Sequence, residues 1–294
     1  MQQRTQLKEE LAISGNLAVL TQAYQEHAIQ QINFSRYSVL ASRDFVDQLV
    51  DIFSNVKASY RNSVMKQDKK KQQPIIQKNG KSAFVLVTAN NKLYGEIIPK
   101  LCRLFIQEAG KDPKADLFTV GQQGQGFLEA GLPNRQIRYI RVPDTNITIN
   151  SLKELTSVVL PYEKVTIFYG KFINLVSQEA VYTSISGDFI DEPDTATEST
   201  VKPITTEQDF LFEPSLPDVA NFFEDQIFSL ILNQRVHEAQ LGKFASRVKA
   251  MERAQSNMQQ RIKELRKADR RMKVSMGNKK QQGQLAGRLL WNTR

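Results

Sequence analysis

Apolar residues recur every three or four positions through the first part of the chain, and this spacing predicts a long helix. No proline interrupts residues 1–60, and Gly15 is their only glycine. We expect a helix over residues 1–65 that buries one face against another helix. Its clearest apolar stripe consists of Val39, Ser42, Val46, Leu49, Phe53, Val56 and Tyr60. A less regular stripe precedes it, consisting of Leu7, Leu11, Leu17, Leu20, Tyr24, Ala28 and Ile32.

A seven-residue repeat is the strongest pattern in the C-terminal part of the chain. Nine of the eleven repeat positions are apolar, which is typical of a coiled coil. A helix over residues 212–294 is too long to be buried in one globule, and so is the helix over residues 1–65. We therefore predict that the two terminal helices pack antiparallel as a coiled coil. The repeat positions are Leu241, Phe244, Val248, Met251, Gln255, Met258, Ile262, Leu265, Asp269, Met272 and Met276.

Short apolar runs alternate with helical segments in residues 80–205, and this alternation predicts an α/β domain. We expect a parallel, doubly wound sheet that is covered on both sides. The polar residues 66–79 and 187–207 are predicted to be a loop and an exposed connector. Strands are predicted at residues 83–88, 115–120, 137–142, 164–169 and 179–185, and helices at residues 95–107, 124–130 and 151–160.

Charge is distributed unevenly along the 294 residues. The chain carries 40 Lys and Arg and 31 Asp and Glu, yet residues 235–294 alone hold 16 basic and 4 acidic side chains. These cations repel one another along a helix, so we expect them to face nucleic acid, an anionic membrane or an acidic protein. No apolar run is long enough to span a bilayer and no signal peptide is recognisable, so we expect a soluble protein in the cytoplasm.

Groups suited to catalysis or to cofactor and metal binding are sparse. The glycine-rich run 121–126 lacks the Lys-Ser/Thr pair of a P-loop, and we interpret it as a strand-to-helix turn. His27 and His237 have no neighbouring Cys or second His, which disfavours a metal site. The only cysteine, Cys102, lies among apolar residues and is predicted to be a buried structural thiol. We therefore expect no catalytic site, cofactor or metal in this chain.

Five stretches match, in order, the motifs of one known family. They are Leu7, Leu11, Asn16, Leu20, Thr21 and Ala23; residues 87–95; Lys171-Phe172-Ile173-Asn174 with Ser177-Gln178; Phe212-Glu213-Pro214; and residues 247–254 with Asn257. Together they resemble the gamma subunit of the F-type rotary ATP synthase, the central shaft of that machine. Lys92 and Glu96 stand where the family has glycines, Tyr94 where it has Cys, and Gln281 where it has Arg. The resemblance is therefore to a divergent member.

The resemblance implies an antiparallel coiled coil of the terminal helices with a Rossmann-like side domain that binds no nucleotide. It implies the central rotor shaft of a proton-translocating ATP synthase, which couples rotation of the membrane ring to conformational changes in the catalytic hexamer. The chain itself is then not catalytic. The implied partners are the alpha and beta subunits, an epsilon-type subunit and the proteolipid ring, at the cytoplasmic face of the inner (plasma) membrane.

The resemblance also implies two sets of partner contacts. The head is the catalytic hexamer of alpha and beta subunits, and the foot is the end of the shaft beside the epsilon-type subunit and the ring. The implied head contacts are Leu20, Thr21, Tyr24, Arg247, Lys249, Met251, Arg253, Lys280, Gln281, Gln282 and Leu285. The implied foot contacts are Leu93, Tyr94 and Gly95.

Three alternative functions remain open from the sequence. The departures from the family motifs allow the stalk of a specialised paralogous rotary ATPase. The basic C-terminal helix allows a nucleic-acid-binding coiled-coil protein, which would bind with a steep salt dependence. The α/β pattern allows an enzyme with a degenerate nucleotide fold, which would bind a nucleotide on its own.

Overall fold

The computed structural model describes residues 2–66, 78–186 and 216–291. The predicted connector at 187–207 and most of the predicted loop at 66–79 lie outside these ranges. The elements in chain order are α1 (Gln2–Lys66), β1 (Ser82–Val87), α2 (Ile97–Lys111), β2 (Asp116–Val120), α3 (Gln122–Gly131), β3 (Ile137–Ile140), α4 (Ile149–Val159), β4 (Lys164–Phe172), β5 (Gln178–Ser186) and α5 (Leu216–Trp291). The predicted α/β fold with two long terminal helices is confirmed.

The five strands form one sheet in the order β3-β2-β1-β4-β5. Strand β1 lies at the centre and pairs in parallel with β2 and β4, and β2 pairs in parallel with β3. Strand β5 runs antiparallel to β4, which differs from the predicted all-parallel sheet. The short connection at residues 173–177 explains the difference, because a parallel return needs a crossover of a dozen or more residues.

Successive residues of β1 face opposite sides of the sheet, and each side has its own core. On one side, Phe84 packs against Phe168 and Phe105, with ring centroids 5.5 Å and 6.3 Å away. Phe105 belongs to α2, so this helix covers that side. On the other side, the buried residues Ala83, Val85, Val87, Val165, Ile167 and Tyr169 share a cluster with Leu152, Leu155 and Val159 of α4 and with Phe228, Leu232, Val236 and Ala239 of α5. The sheet is thus covered on both sides, as predicted.

The chain divides into two compact units. One contains residues 31–246, with the sheet and its covering helices. The other contains residues 1–30 and 247–294, the N-terminal part of α1 with the C-terminal part of α5. Each long helix therefore contributes to both units.

Gly242 of α5 lies directly against the backbone of Gly170 in β4, and a Cβ at this position would overlap the Gly170 carbonyl oxygen. Ordinarily an alanine stabilises a helix relative to glycine by about 1 kcal/mol. Here we expect Gly242→Ala to destabilise the protein by roughly 1–3 kcal/mol, because α5 must move away from the sheet.

The matched control is Gly277→Ala in the same helix, where an added Cβ meets no described atom within 4 Å. Urea unfolding followed by circular dichroism measures both variants. A Gly242→Ala protein as stable as the Gly277→Ala protein would contradict the close packing of α5 on β4.

Candidate functional site

The carboxyl ends of the parallel strands form the crevice where doubly wound folds usually bind nucleotides. In this chain a side chain of α5 fills that position. The ammonium of Lys243 donates to the carbonyl oxygen of Thr88 at 2.9 Å and lies 3.3 Å from Oδ1 of Asp144. The side chains of Lys243 and Asp144 are each 5% exposed, so this ion pair is excluded from water.

The glycine-rich run, which begins at Gly121 and enters the first turn of α3, donates hydrogen bonds to the end of β1 and the loop after it. The backbone N–H of Gly124 donates to Oγ1 of Thr88 at 3.0 Å, and that of Gln123 donates to the carbonyl of Ala89 at 2.9 Å. A Cβ at Gly124 would lie 2.5 Å from Oγ1 of Thr119. These two N–H groups are therefore used within the chain and are not available to a phosphate, and the geometry matches the predicted strand-to-helix turn.

The titratable groups singled out in the sequence are in environments that disfavour reactivity. Burial raises the pKa of the Cys102 thiol to about 12, so the nucleophilic thiolate is scarce near neutral pH. Burial also lowers the pKa of His237, and its hydrogen bond with Gln240 opposes the shift only in part. Within the described ranges, no group of three or more His, Cys, Asp or Glu side chains is arranged to hold a metal ion.

Within residues 2–66, 78–186 and 216–291, no helix combines the length and apolarity needed to cross a bilayer.

The predicted foot residues lie in the loop that follows β1, and this loop packs against α5. Tyr94 is 3% exposed, and its ring lies 5.8 Å from that of Phe244. Leu93 is 51% exposed and adopts a left-handed backbone with φ of 73°. Gly95, also left-handed, is exposed as well. Of the three residues, Tyr94 is therefore a packing residue, while Leu93 and Gly95 are accessible to a partner.

The N-terminal part of α1 pairs with the C-terminal part of α5 in the predicted antiparallel direction. Nε of Arg4 lies 3.7 Å from Oδ1 of Asp269, and Nε of Arg261 donates to Oε1 of Glu10 at 3.1 Å. The guanidinium of Arg247 lies 5.8 Å from the centre of the Tyr24 ring. Partners further along α1 thus lie earlier in α5, which defines an antiparallel register.

From Met251 to Met272 the predicted repeat lies on the shielded face of α5, whereas its last position, Met276, is 40% exposed. Met251 and Leu265 are buried at 5% and 4% exposure, and the repeat positions between them are half-buried. Asp269, a polar position in this repeat, accepts a hydrogen bond from Lys273, which together with the charge of Arg4 holds the pKa of Asp269 below its usual value. This polar position therefore contributes an ion pair to the register.

The predicted apolar stripe in the first part of α1 is wrong in its middle. Leu17 and Leu20 are 43% and 51% exposed, whereas Ser14 and Ala28 are 6% and 0% exposed. The shielded positions repeat every three or four residues, but small and polar side chains occupy several of them, so hydrophobicity alone selects the wrong face. The shielded positions are Arg4, Leu7, Leu11, Ser14, Ala18, Thr21, Gln25 and Ala28.

The implied head residues fall into two groups. Arg247 and Met251 are each 5% exposed and Thr21 is half-buried, so these residues hold the paired helices together. The remaining residues are exposed and accessible to a partner. They are Leu20, Tyr24, Lys249, Arg253, Lys280, Gln281, Gln282 and Leu285.

The end of α5 continues past its pairing with α1. Arg4 lies beside Asp269 and α1 begins at Gln2, so the described part of α1 ends at this level. Every side chain at residues 273–285 is exposed. Val274 and Leu285 are apolar residues at 63% and 61% exposure, and residues 270–294 contain seven Lys and Arg but no Asp or Glu.

Sequence reasoning missed the Lys243–Asp144 pair and the exposed apolar side chains of Ile13 and Leu17. Lys243 had a weak signal, since a lysine between Gly242 and Phe244 interrupts an apolar stretch of the helix. No sequence signal pointed to Asp144, because it lies in a polar loop 99 positions away from Lys243.

Comparison with known proteins agrees with this architecture. A sequence model of the ATP synthase family matches residues 4–273. The ATP synthase gamma chain of Mycoplasma mycoides is 23% identical over 265 residues, covering 86% of each chain. That of Roseiflexus castenholzii is 22% identical over 262 residues, covering 85% of each chain.

Solved structures are similar in fold. A chain in the cryo-EM structure of the Tetrahymena thermophila mitochondrial ATP synthase central stalk and c-ring has a TM-score of 0.56 at 18% identity, covering 80% of this chain and 99% of that one. A chain in the Euglena gracilis mitochondrial ATP synthase rotor has a TM-score of 0.51 at 17% identity, covering 84% and 99%. The family model spans well over half of the sequence, and the chain therefore belongs to the ATP synthase family that this model describes.

Proposed function

We propose that this chain couples rotation to catalysis by inserting the end of α5 into a ring of catalytic subunits, without carrying out chemistry itself. The observation that supports the proposal is the exposed end of α5, residues 273–285, which extends past the described part of α1. A lone helix is marginal in water, and Gly277 and Gly283 weaken it further by about 1 kcal/mol each. This end is therefore expected to need protein around it.

The side chains of this end indicate what surrounds it. Val274 and Leu285 are exposed and apolar, and they favour an apolar lining. Lys279 and Lys280 are exposed cations in a stretch without acidic residues, and they favour acidic groups at the edge of that lining. The alpha and beta subunits of the catalytic hexamer are the partners that we assign to this surface.

The N-terminal helix adds a second apolar surface, beside the part of α5 that precedes the exposed end. Leu20 and Tyr24 are 51% and 37% exposed, and Ile13 and Leu17 are 59% and 43% exposed. Their spacing of four, three and four residues gives one stripe along α1. We assign this stripe to contact with the head, while Thr21, Arg247 and Met251 keep the two helices in register behind it.

The shaft acts through unequal contacts. Its faces differ chemically, so each catalytic subunit around it meets a different surface. A subunit conformation that contacts its local surface more favourably becomes more populated. Rotation moves each surface to the next subunit, and the nucleotide affinities change in sequence because contact and nucleotide binding are coupled.

The loop after β1 presents two residues to a partner. Tyr94 packs on Phe244, whereas Leu93 and Gly95 are exposed, and we assign these two to a partner contact of the complex. An epsilon-type subunit and the proteolipid ring are further partners that we assign to the chain, which we expect to be peripheral to the cytoplasmic face of the membrane.

Charge reversal tests the contact with the head. Lys249 and Arg253 are exposed on α5, so Lys249→Glu with Arg253→Glu places repulsive charges against an acidic partner. We expect recovery of the alpha and beta subunits with the variant to fall at least about tenfold, which corresponds to 1.4 kcal/mol of binding free energy. Co-purification followed by ATP hydrolysis measures the effect.

The control carries the same change of charge on the α/β body, with Lys114→Glu and Lys153→Glu at exposed positions. Equal recovery of catalytic subunits with both double variants would contradict the assignment. Recovery of nucleic acid in place of subunits with nucleotide-binding loops would favour the alternative of a nucleic-acid-binding coiled coil.

Amide hydrogen exchange tests the insertion of the α5 end. In the free chain, residues 273–285 should exchange faster than residues 241–251, because their side chains are all exposed and their helix is not held by tertiary packing. On assembly with the catalytic subunits, residues 273–285 should become protected. Unchanged exchange in the assembled complex would contradict insertion.

A further inference from the structure

A single buried carboxylate joins helix α5 to the α/β body, which is the sheet with helices α2, α3 and α4 and their loops. The carboxylate of Asp144 accepts the backbone N–H groups of Asn90 and Asn91, both at 3.0 Å to Oδ2. It also accepts the side-chain amide of Asn91 at 3.2 Å. On its other side lies the ammonium of Lys243, 3.3 Å from Oδ1. The loop after β1, the loop after β3 and helix α5 are thus fixed to one group.

Neighbouring contacts hold α5 at the same level. Nε2 of Gln240 donates to the carbonyl oxygen of Asp144 at 3.1 Å. The ammonium of Lys243 also donates to the carbonyl of Thr88 and lies 5.9 Å from the centre of the Tyr94 ring. Gln240, Lys243 and Phe244 are 3%, 4% and 0% exposed. Because water is excluded from them, it does not replace these contacts when torque acts on helix α5.

These contacts differ in mechanical character from the apolar packing of α5 on the sheet. Packed apolar helices slide by small shear movements at little cost, because dispersion contacts are non-directional. An ion pair with directed hydrogen bonds is different, because moving the helix along its axis by one residue leaves these groups without equivalent partners. Rotation or sliding of α5 relative to the sheet at this level must separate a buried charge pair, which is strongly unfavourable.

We infer that the Lys243–Asp144 pair is a torque joint, the point at which twist passes between the α/β body and helix α5. Lys243 and Asp144 are positioning residues for rotary coupling, and neither touches a nucleotide. The inference rests on the proposed function as a shaft. It adds that torque enters α5 through this buried polar joint and not through the apolar face alone.

The test uses the assembled rotary complex with Lys243→Met and Asp144→Asn combined. Removing both charges together avoids leaving one buried and unpaired, so folding and assembly should be retained. The matched control is Lys100→Met with Glu96→Gln, which removes the exposed pair on α2. Each complex is assayed for ATP hydrolysis, for ions pumped per ATP, and for torsional stiffness with a bead fixed to the α/β body.

We expect the Lys243→Met/Asp144→Asn complex to hydrolyse ATP but to show torsional stiffness lowered by at least about twofold, because the directed buried contact is gone. Its ions pumped per ATP should fall as well, while the control complex resembles wild type. A merely structural role would change the unfolding midpoint without changing stiffness. Wild-type stiffness and coupling in the double variant would overturn the inference.

A second measurement does not depend on assembly of the double variant. In the free chain, Lys243→Met alone should speed amide exchange at residues 88–91 and 240–246 at least about fivefold, with residues 97–105 in α2 unchanged. Unchanged exchange at residues 88–91 and 240–246 would also overturn the inference. Failure of the wild-type chain to assemble with any ATP-hydrolysing subunits is a different result, which would reject the shaft itself.

Discussion

The rest of the structure depends on one constraint, that a long amphipathic helix cannot bury its own apolar face. The helix α1 has 65 residues and α5 has 76, and both carry shielded positions every three or four residues. Antiparallel pairing of residues 2–30 with residues 247–272 buries one face of each helix against the other. The ends of α5 then acquire separate roles. One end lies against the sheet, and the other extends past the described part of α1 as an exposed helix.

The fold was predictable from sequence where the hydrophobic pattern was decisive. Between Val248 and Met272 the repeat correctly identified the shielded face of α5, and the apolar runs identified the five strands of the described residues. The pattern failed in α1, where Ser14 and Ala18 occupy the shielded face and Leu17 and Leu20 do not. Side chains pack well against a neighbouring helix when they fit its shape, and hydrophobicity is only one part of that fit. The direction of β5 and the Lys243–Asp144 pair depend on tertiary geometry, which a local pattern does not contain.

In the sheet, side chains of the chain itself occupy the edge where doubly wound folds usually bind nucleotides. The strand order is that of doubly wound proteins, whereas the glycine-rich run 121–126 lacks the spacing that places a phosphate in them. Here Thr88 binds the N–H of Gly124 and the carbonyl of Thr88 receives the ammonium of Lys243. The crevice now holds a helix from the same chain. Function therefore follows from what fills the site and not from the fold.

The cationic end of α5 has a consequence for how the protein is handled in the cell. Seven Lys and Arg in residues 270–294 have no acidic neighbour in that stretch, so a copy of the chain without its partners would present a strongly positive segment to ribosomes and messenger RNA. Nonspecific adsorption of this kind competes with assembly. Synthesis of the chain in balance with the subunits that bind it would keep such adsorption low.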